Sequence, residues 1–139
     1  GRTFEIGQGV VVKDAGNACV VFACGIMLGM ALKAAEILEK EGVKITVVDM
    51  YNVKPLDEQL VVEQSKKCGC VVVAENHNKI GGLTSAISDC LAQNFPTPAE
   101  HVAIEDEFGE VGPQDYLEER FDLTPEHIVR KVKTAMSRK

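Results

Sequence analysis

With 139 residues, 45% of them hydrophobic and 26% charged, the chain has room for one ordinary domain with its own core and not for two. A net charge of −6 argues against nucleic acid as a partner. Mean hydropathy is near zero, and no apolar run approaches the roughly 18–20 residues a membrane helix needs.

The start, GRTFEIGQG, is polar and does not read as a secretory signal. Lacking an initiator Met, it reads as beginning inside a longer protein or after removal of a tag, with 1–9 as an entry segment from an upstream domain. The five cysteines form no CxxC pair, and Cys68-Gly69-Cys70 is too tightly spaced for a usual structural zinc pair. Cys19 and Cys24 flank an apolar run as core thiols would. The set predicts reduced cysteines in a cytoplasmic protein.

Val10 to Lys13 is a short strand candidate, and Asp14-Ala15-Gly16-Asn17 is a turn by composition. Ala18 to Cys24 is an uninterrupted apolar run, as expected of a strand covered on both faces. Gly25 breaks it, and Ile26 to Glu41 follows with helical spacing at Leu28, Leu32, Ala35 and Leu38, stopped by Gly42. Gly25 suits the turn, and Gly29 is expected to let this helix lie close to the sheet. Val43 to Met50 is the next strand, with Val43, Ile45 and Val47 on one face and Val48 and Met50 on the other. Asp57 is placed to cap a helix that carries Leu60, Val61 and Val62 and ends near Lys67. Cys70 to Glu75 is a strand. A helix runs from Gly82 or Leu83 to Gln93, with Ile87, Cys90 and Leu91 inward. After the Pro96–Pro98 connector come a strand at His101 to Ile104, a loop at Glu105 to Pro113 and a short helix at Gln114 to Phe121. A final helix opens at Thr124-Pro125-Glu126, with Ile128, Val132 and Ala135 as its apolar stripe. Alternating strands and helices predict a three-layer α/β/α domain with a mostly parallel sheet.

The most informative stretch is VVVAENHNKIGGLTSAI, Val71 to Ile87. Glu75, Asn76 and His77 fall where a parallel strand should end, the edge at which open α/β sheets usually meet ligands and partners. A carboxylate, an amide and an imidazole together suit a proton network. No Ser, Thr or Cys nucleophile is placed beside them by sequence, so an interface role fits better than catalysis, and no catalytic residue is assigned. Gly81-Gly82 before a helix offers backbone N–H groups to an anion, or simply makes a tight turn; the turn is the simpler reading. His101 and His127 read as structural. Glu105-Asp106-Glu107 has the composition of a metal site but not its geometry, because consecutive acids point different ways. No metal ligands are assigned.

The order of these pieces resembles a known domain over nearly the whole chain. FEIGQG at Phe4 to Gly9 comes first, then the Gly25 turn, AAEILEKEGVKITVVDM, and KPLD at Lys54 to Asp57. VVVAENH and Gly81-Gly82-Leu83 follow, then Phe108-Gly109, Gly112-Pro113, Leu117 and TPEHIVRKV. This is similar to the C-terminal domain of transketolase-type, thiamine-diphosphate-dependent enzymes, and in particular to the split bacterial transketolases. The resemblance implies a five-stranded mixed sheet whose first strand is antiparallel. It implies two-carbon ketol transfer between phosphosugars, in the pentose phosphate pathway, by a homodimeric enzyme. Thiamine diphosphate and Mg²⁺ would bind between the other two domains, so this chain would bind no cofactor and would pack on the cofactor-binding domains or subunit. Glu75, Asn76, His77, Gly81 and Gly82 would lie on the docking edge. Val111 stands where many relatives carry a small polar residue, which weakens any anion role for that turn. Deoxyxylulose phosphate synthase and the beta subunit of 2-oxoacid dehydrogenases share the domain and are the alternatives. A nucleotide or small-ligand regulatory module using the same edge is the reading from another class.

Overall fold

A computed structural model describes residues 8–51, 55–78, 82–104 and 124–139, without the side chains of 76–78, 103 and 104. Its strands are β1 (Val10–Asp14), β2 (Val20–Ala23), β3 (Thr46–Asp49), β4 (Val71–Asn78) and β5 (Ala99–Ile104). Its helices are α1 (Met27–Lys40), α2 (Glu58–Cys68), α3 (Leu83–Asn94) and α4 (Pro125–Ser137). The five strands form one sheet in the order β1-β3-β2-β4-β5. β1 runs antiparallel to β3, and every other pairing is parallel, the mixed topology expected.

The layers follow from the crossovers. β2 to β3 steps one way across the sheet, while β3 to β4 steps back past β2 and β4 to β5 continues. Crossovers of one hand then put α1 on one face and α2 and α3 on the other. The core divides accordingly. Val21, Val47, Val72 and Val102 face Met27, Ala31, Leu38, Ile128 and Val132 of α1 and α4. Val20, Phe22, Val48 and Val73 face Val61 of α2 and Leu83, Ile87 and Leu91 of α3. β2 is buried along its whole length, which is why its sequence is an unbroken apolar run.

Predicted caps form with the expected partners. The Leu60 N–H donates to Asp57 Oδ1 at 3.1 Å, and the His127 N–H to Thr124 Oγ1 at 3.3 Å, with Pro125 opening α4. Gly42, at φ +83°, follows the end of α1.

Three expectations are corrected. β3 begins at Thr46 rather than Val43, because the carbonyls of Lys44 and Ile45 accept from Ala18 and Ala15 of the preceding turn. The buried stripe of α1 is Met27, Ala31, Ala34, Ala35 and Leu38; Leu28 and Leu32 flank it, half-buried, because the alanines make the closest approach to the sheet. Gly29 does not serve that approach. It is exposed, and a Cβ there would meet nothing within 4 Å. The short helix expected at Gln114 to Phe121 and the loop at Glu105 to Pro113 lie outside the described residues.

Gly29 therefore carries only the entropic cost of glycine inside a helix. Gly29→Ala should stabilise the domain by about 0.5–1 kcal/mol, read as a higher midpoint in urea unfolding. A destabilised variant would show that this position contacts something the folded chain alone does not reveal.

Candidate functional site

In an open parallel sheet, ligands and partners meet the carboxyl edge where neighbouring strands send their connections to opposite faces. Here that point lies between β2, which leads to α1, and β4, which leads to α3. The first turn is Cys24-Gly25, with Gly25 at φ +61°, a conformation that glycine adopts without strain. The second connection leads from β4 to Gly82 at the start of α3. The Cys24 N–H donates to the Ala74 carbonyl at 3.3 Å, so the two turns begin side by side.

Glu75 is the central residue of this edge. It is fully buried, unusual for a carboxylate, which must be hydrogen-bonded to tolerate burial. It accepts from the Leu83 N–H at 2.7 Å through one oxygen and from the Thr84 N–H at 2.8 Å through the other. Those donors are the first N–H groups of α3, whose N-cap, Gly82, has no side chain to offer. The carboxylate also meets the positive end of the helix dipole. Glu75 is thus a helix cap delivered from the neighbouring strand, clamping the two ends of the loop between them. Sequence reading places Glu75 on the edge but misses this role. The available signal is an acid at a strand end followed, after a short polar loop, by a helix that starts on glycine.

Asn76 and His77 lie within β4 rather than beyond it, in a stretch where the pairing with β5 shifts register between Ala74 and Asn78. Such irregularities re-aim side chains near functional edges. Gly81 and the 105–107 acids lie outside the described residues. His101 is half-buried on β5 and His127 sits in the first turn of α4, away from Glu75 in the chain and on other elements. Among the described residues, no His, Cys, Asp or Glu cluster is arranged to hold a metal ion, and no helix is long and apolar enough to cross a membrane.

Asp57 repeats the arrangement one connection earlier. Its Oδ2 accepts from the Gly9 N–H at 3.0 Å while Oδ1 caps α2, tying the approach to β1 onto the helix. Asp49, at the end of β3, is nearly buried. Cys24 lies within the influence of these acids. Burial first, and then the charges of Glu75 and Asp49, push its thiol up to about 11. It is therefore protonated at neutral pH and a poor nucleophile, since the thiolate is the reactive form.

The transketolase C-terminal domain profile matches residues 7–128. The chain belongs to that family. Over 98% of its length it is 43% identical to the 6-deoxy-6-sulfo-D-fructose transketolase subunit of a Clostridium species, covering 42% of that protein. It is 34% identical, over 98% of its length, to a putative transketolase C-terminal section of Methanocaldococcus jannaschii, again covering 42% of it. It is 36% identical to the 1-deoxy-D-xylulose-5-phosphate synthase of Syntrophotalea carbinolica over 97% of its length and 21% of that enzyme. Among solved structures, a split-gene transketolase in an inactive beta4 tetramer superimposes with a TM-score of 0.91 at 43% identity, covering 96% of this chain and 44% of that one. The transketolase domain described here thus spans less than half the length of each of these relatives.

Two outcomes test the site. Glu75→Gln puts an amide NH₂ against a helix N–H that now finds an acceptor; it should destabilise the domain by about 1–3 kcal/mol, with Glu75→Ala worse because both donors lose their partner. Unfolding free energies measured in urea decide it, and a neutral Glu75→Gln would remove the cap from the account. Cys24, with a folded pKa of about 11 against a usual 9.0, favours the protonated form in the native state. Its contribution is complete below about pH 9 and lost as pH rises towards about 11. Across that window the wild type should lose stability more steeply than Cys24→Ala.

Proposed function

We propose that this domain is the assembly-supporting C-terminal part of a transketolase whose complete form moves a two-carbon ketol unit between phosphosugars, and that it is not catalytic alone. The observation that carries this reading is the Glu75 brace. An edge built to bind substrate would present its carboxylate; here both oxygens are turned inward on α3. The neighbouring thiol is held protonated, which suits a structural role as well.

Thiamine diphosphate and Mg²⁺ belong, on this reading, to the cofactor-binding domains or subunit that this domain packs against. A diphosphate asks for free backbone N–H groups at a helix start or for a phosphate cradle. The helices that follow β2, β3 and β4 direct such groups to the chain's own oxygens. Met27 and Leu28 donate to the carbonyls of Cys24 and Gly25, Leu60 to Asp57, and Leu83 and Thr84 to Glu75. These starts do not fit a diphosphate, and the ketol chemistry is assigned to the partner.

The docking edge comprises Glu75, which shapes it from beneath, with Asn76, His77, Gly81 and Gly82. A homodimer is the expected unit of the complete enzyme, and the inactive beta4 tetramer of a split-gene relative is consistent with a subunit that self-associates without activity. The compartment is the cytoplasm, a reading supported by cysteines that are all free. A second reading, a deoxyxylulose phosphate synthase domain, is favoured by the identity to that enzyme, and the sequence upstream of Gly1 separates the two.

The test uses titration calorimetry and a ketol-transfer assay. The isolated domain should give no heat with thiamine diphosphate plus Mg²⁺ and no transfer. Joined with its cofactor-binding partner it should assemble, and His77→Ala should weaken that assembly while leaving the isolated domain's unfolding midpoint unchanged. Micromolar cofactor binding by the domain alone would sink the proposal.

A further inference from the structure

The sheet has a second chemically distinctive end. At the amino edge, opposite the docking edge, three of the five cysteines approach one another: Cys19 before β2, and Cys68 and Cys70 on either side of Gly69 before β4. β2 and β4 are adjacent parallel strands in the register Val20↔Val71, and the Val20 N–H donates to the Cys70 carbonyl at 3.2 Å. One position earlier, Cys19 therefore stands directly across from Cys70. Both side chains lie on the same face of the sheet, in the core layer shared with α1 and α4. Neighbouring strands run about 4.8 Å apart, inside the roughly 4.4–6.8 Å between Cα atoms that a disulfide spans. The Cys19 Sγ donates to the Val20 carbonyl at 3.6 Å and the Cys70 Sγ to the Ala18 carbonyl at 3.3 Å. Cys68 belongs to the core layer on the other face, at the end of α2.

We infer that Cys19 and Cys70 are a dithiol pair that oxidises reversibly to a cross-strand disulfide, a redox modification site tying β2 to β4 at the end of the sheet opposite the docking edge. The oxidant is a small hydroperoxide, since both side chains are fully buried and only a compact, uncharged reagent reaches them through opening of the edge. Cys70 is the attacking group. The Cys19 thiol across the strand pair, and then the nearby Lys139 charge, draw its thiol below the usual value against the opposing effect of burial. Cys19 is the resolving group, held well above its usual value by the neighbouring Cys70 thiol and by burial. In the first step the Cys70 thiolate attacks one peroxide oxygen. The O–O bond breaks, Cys70 becomes a sulfenic acid and hydroxide leaves, taking up the proton Cys70 had released. In the second step the Cys19 sulfur attacks the Cys70 sulfur. The S–S bond forms, the S–O bond breaks, and the leaving hydroxyl departs as water with the Cys19 proton. Two electrons pass from the thiols to the peroxide, and a dithiol reductant reverses the change.

The bond joins the two strands whose carboxyl ends form the crevice of the docking edge. Oxidation therefore restrains the scaffold under that edge without touching the edge itself.

The experiment treats the reduced chain with hydrogen peroxide under native conditions, alkylates the remaining thiols and maps the peptides by mass spectrometry. Two of the five thiols should disappear into a Cys19–Cys70 cross-link, return on reduction, and raise the unfolding temperature by several degrees while present. The same oxidation in guanidinium, where the strands no longer align, should scatter the pairing. In Cys70→Ala, Cys19 should remain a thiol at oxidant levels that cross-link the wild type. The wild-type map stands as a test even if that variant folds poorly. Retention of all five thiols, a sulfinate at Cys70 without a bridge, or a Cys68–Cys70 bridge in the native chain overturns the inference.

Discussion

The buried carboxylate of Glu75 is the constraint on which the carboxyl edge depends. An ionised carboxylate is costly to take out of water unless its oxygens find donors, and a helix start is costly to bury unless its N–H groups find acceptors. Each deficit cancels the other here: the Leu83 and Thr84 N–H groups reach Glu75 at 2.7 and 2.8 Å. The pairing also fixes where α3 begins. Gly82 allows the chain to enter the helix but contributes no cap of its own, so the strand has to supply one. The loop between, which includes the segment proposed for docking, is held at both ends by a single side chain.

Asp57 shows that this is a strategy of the fold. It too divides its oxygens, one for the start of α2 and one for the Gly9 backbone. Both acids lie in the short motifs, KPLD and the ENH-to-GGL stretch, that carry the family resemblance. Motif acids at a ligand-binding edge invite a catalytic reading. Their geometry here indicates a different pressure: each joins two backbone segments, 48 residues apart for Gly9 and Asp57 and eight and nine apart for Glu75 with Leu83 and Thr84, and few other residue types can do so. Aspartate and glutamate satisfy two N–H donors at once, whereas asparagine and glutamine oppose one of them with an NH₂ group.

This explains what the sequence makes legible. Local signals resolve cleanly. The apolar run of β2, the inward residues Ile87, Cys90 and Leu91 of α3, the Asp57 and Thr124 caps and the stripe of α4 depend on neighbours within a few positions, and the structure places them as read. Non-local facts do not resolve. In α1, Ala35 and Leu38 are buried as read, with Ala31 and Ala34 beside them, but Leu28 and Leu32, which periodicity puts in the same stripe, move to its flanks. Gly29 looks like a packing glycine and faces open space. The strand expected from Val43 loses its first residues to hydrogen bonds with a turn some 30 positions earlier. The helix-cap role of Glu75 is not legible in the sequence, because its two partners lie eight and nine residues away on another element. β4 continues through Asn76 and His77 to Asn78, past a register shift against β5 that no sequence rule announces.

The two ends of the sheet are thus stiffened by different chemistry. At the carboxyl edge the connections are held by carboxylates on helix starts, which act from within. At the amino edge, β2 and β4 are preceded by thiols in register, both buried and each hydrogen-bonded to a backbone carbonyl. A domain whose task was to bind and release a small molecule would keep donors and acceptors at its edge uncommitted, because binding requires exchanging them for the ligand's. Here the helix starts that surround the switch point have already made that exchange with the chain itself. What remains for a partner is shape: a β4 segment displaced by its register shift, the Gly25 turn beside it, and the half-exposed Ile26 that follows. Recognition by a preformed surface costs little ordering on association, which suits the assembly role proposed for this edge.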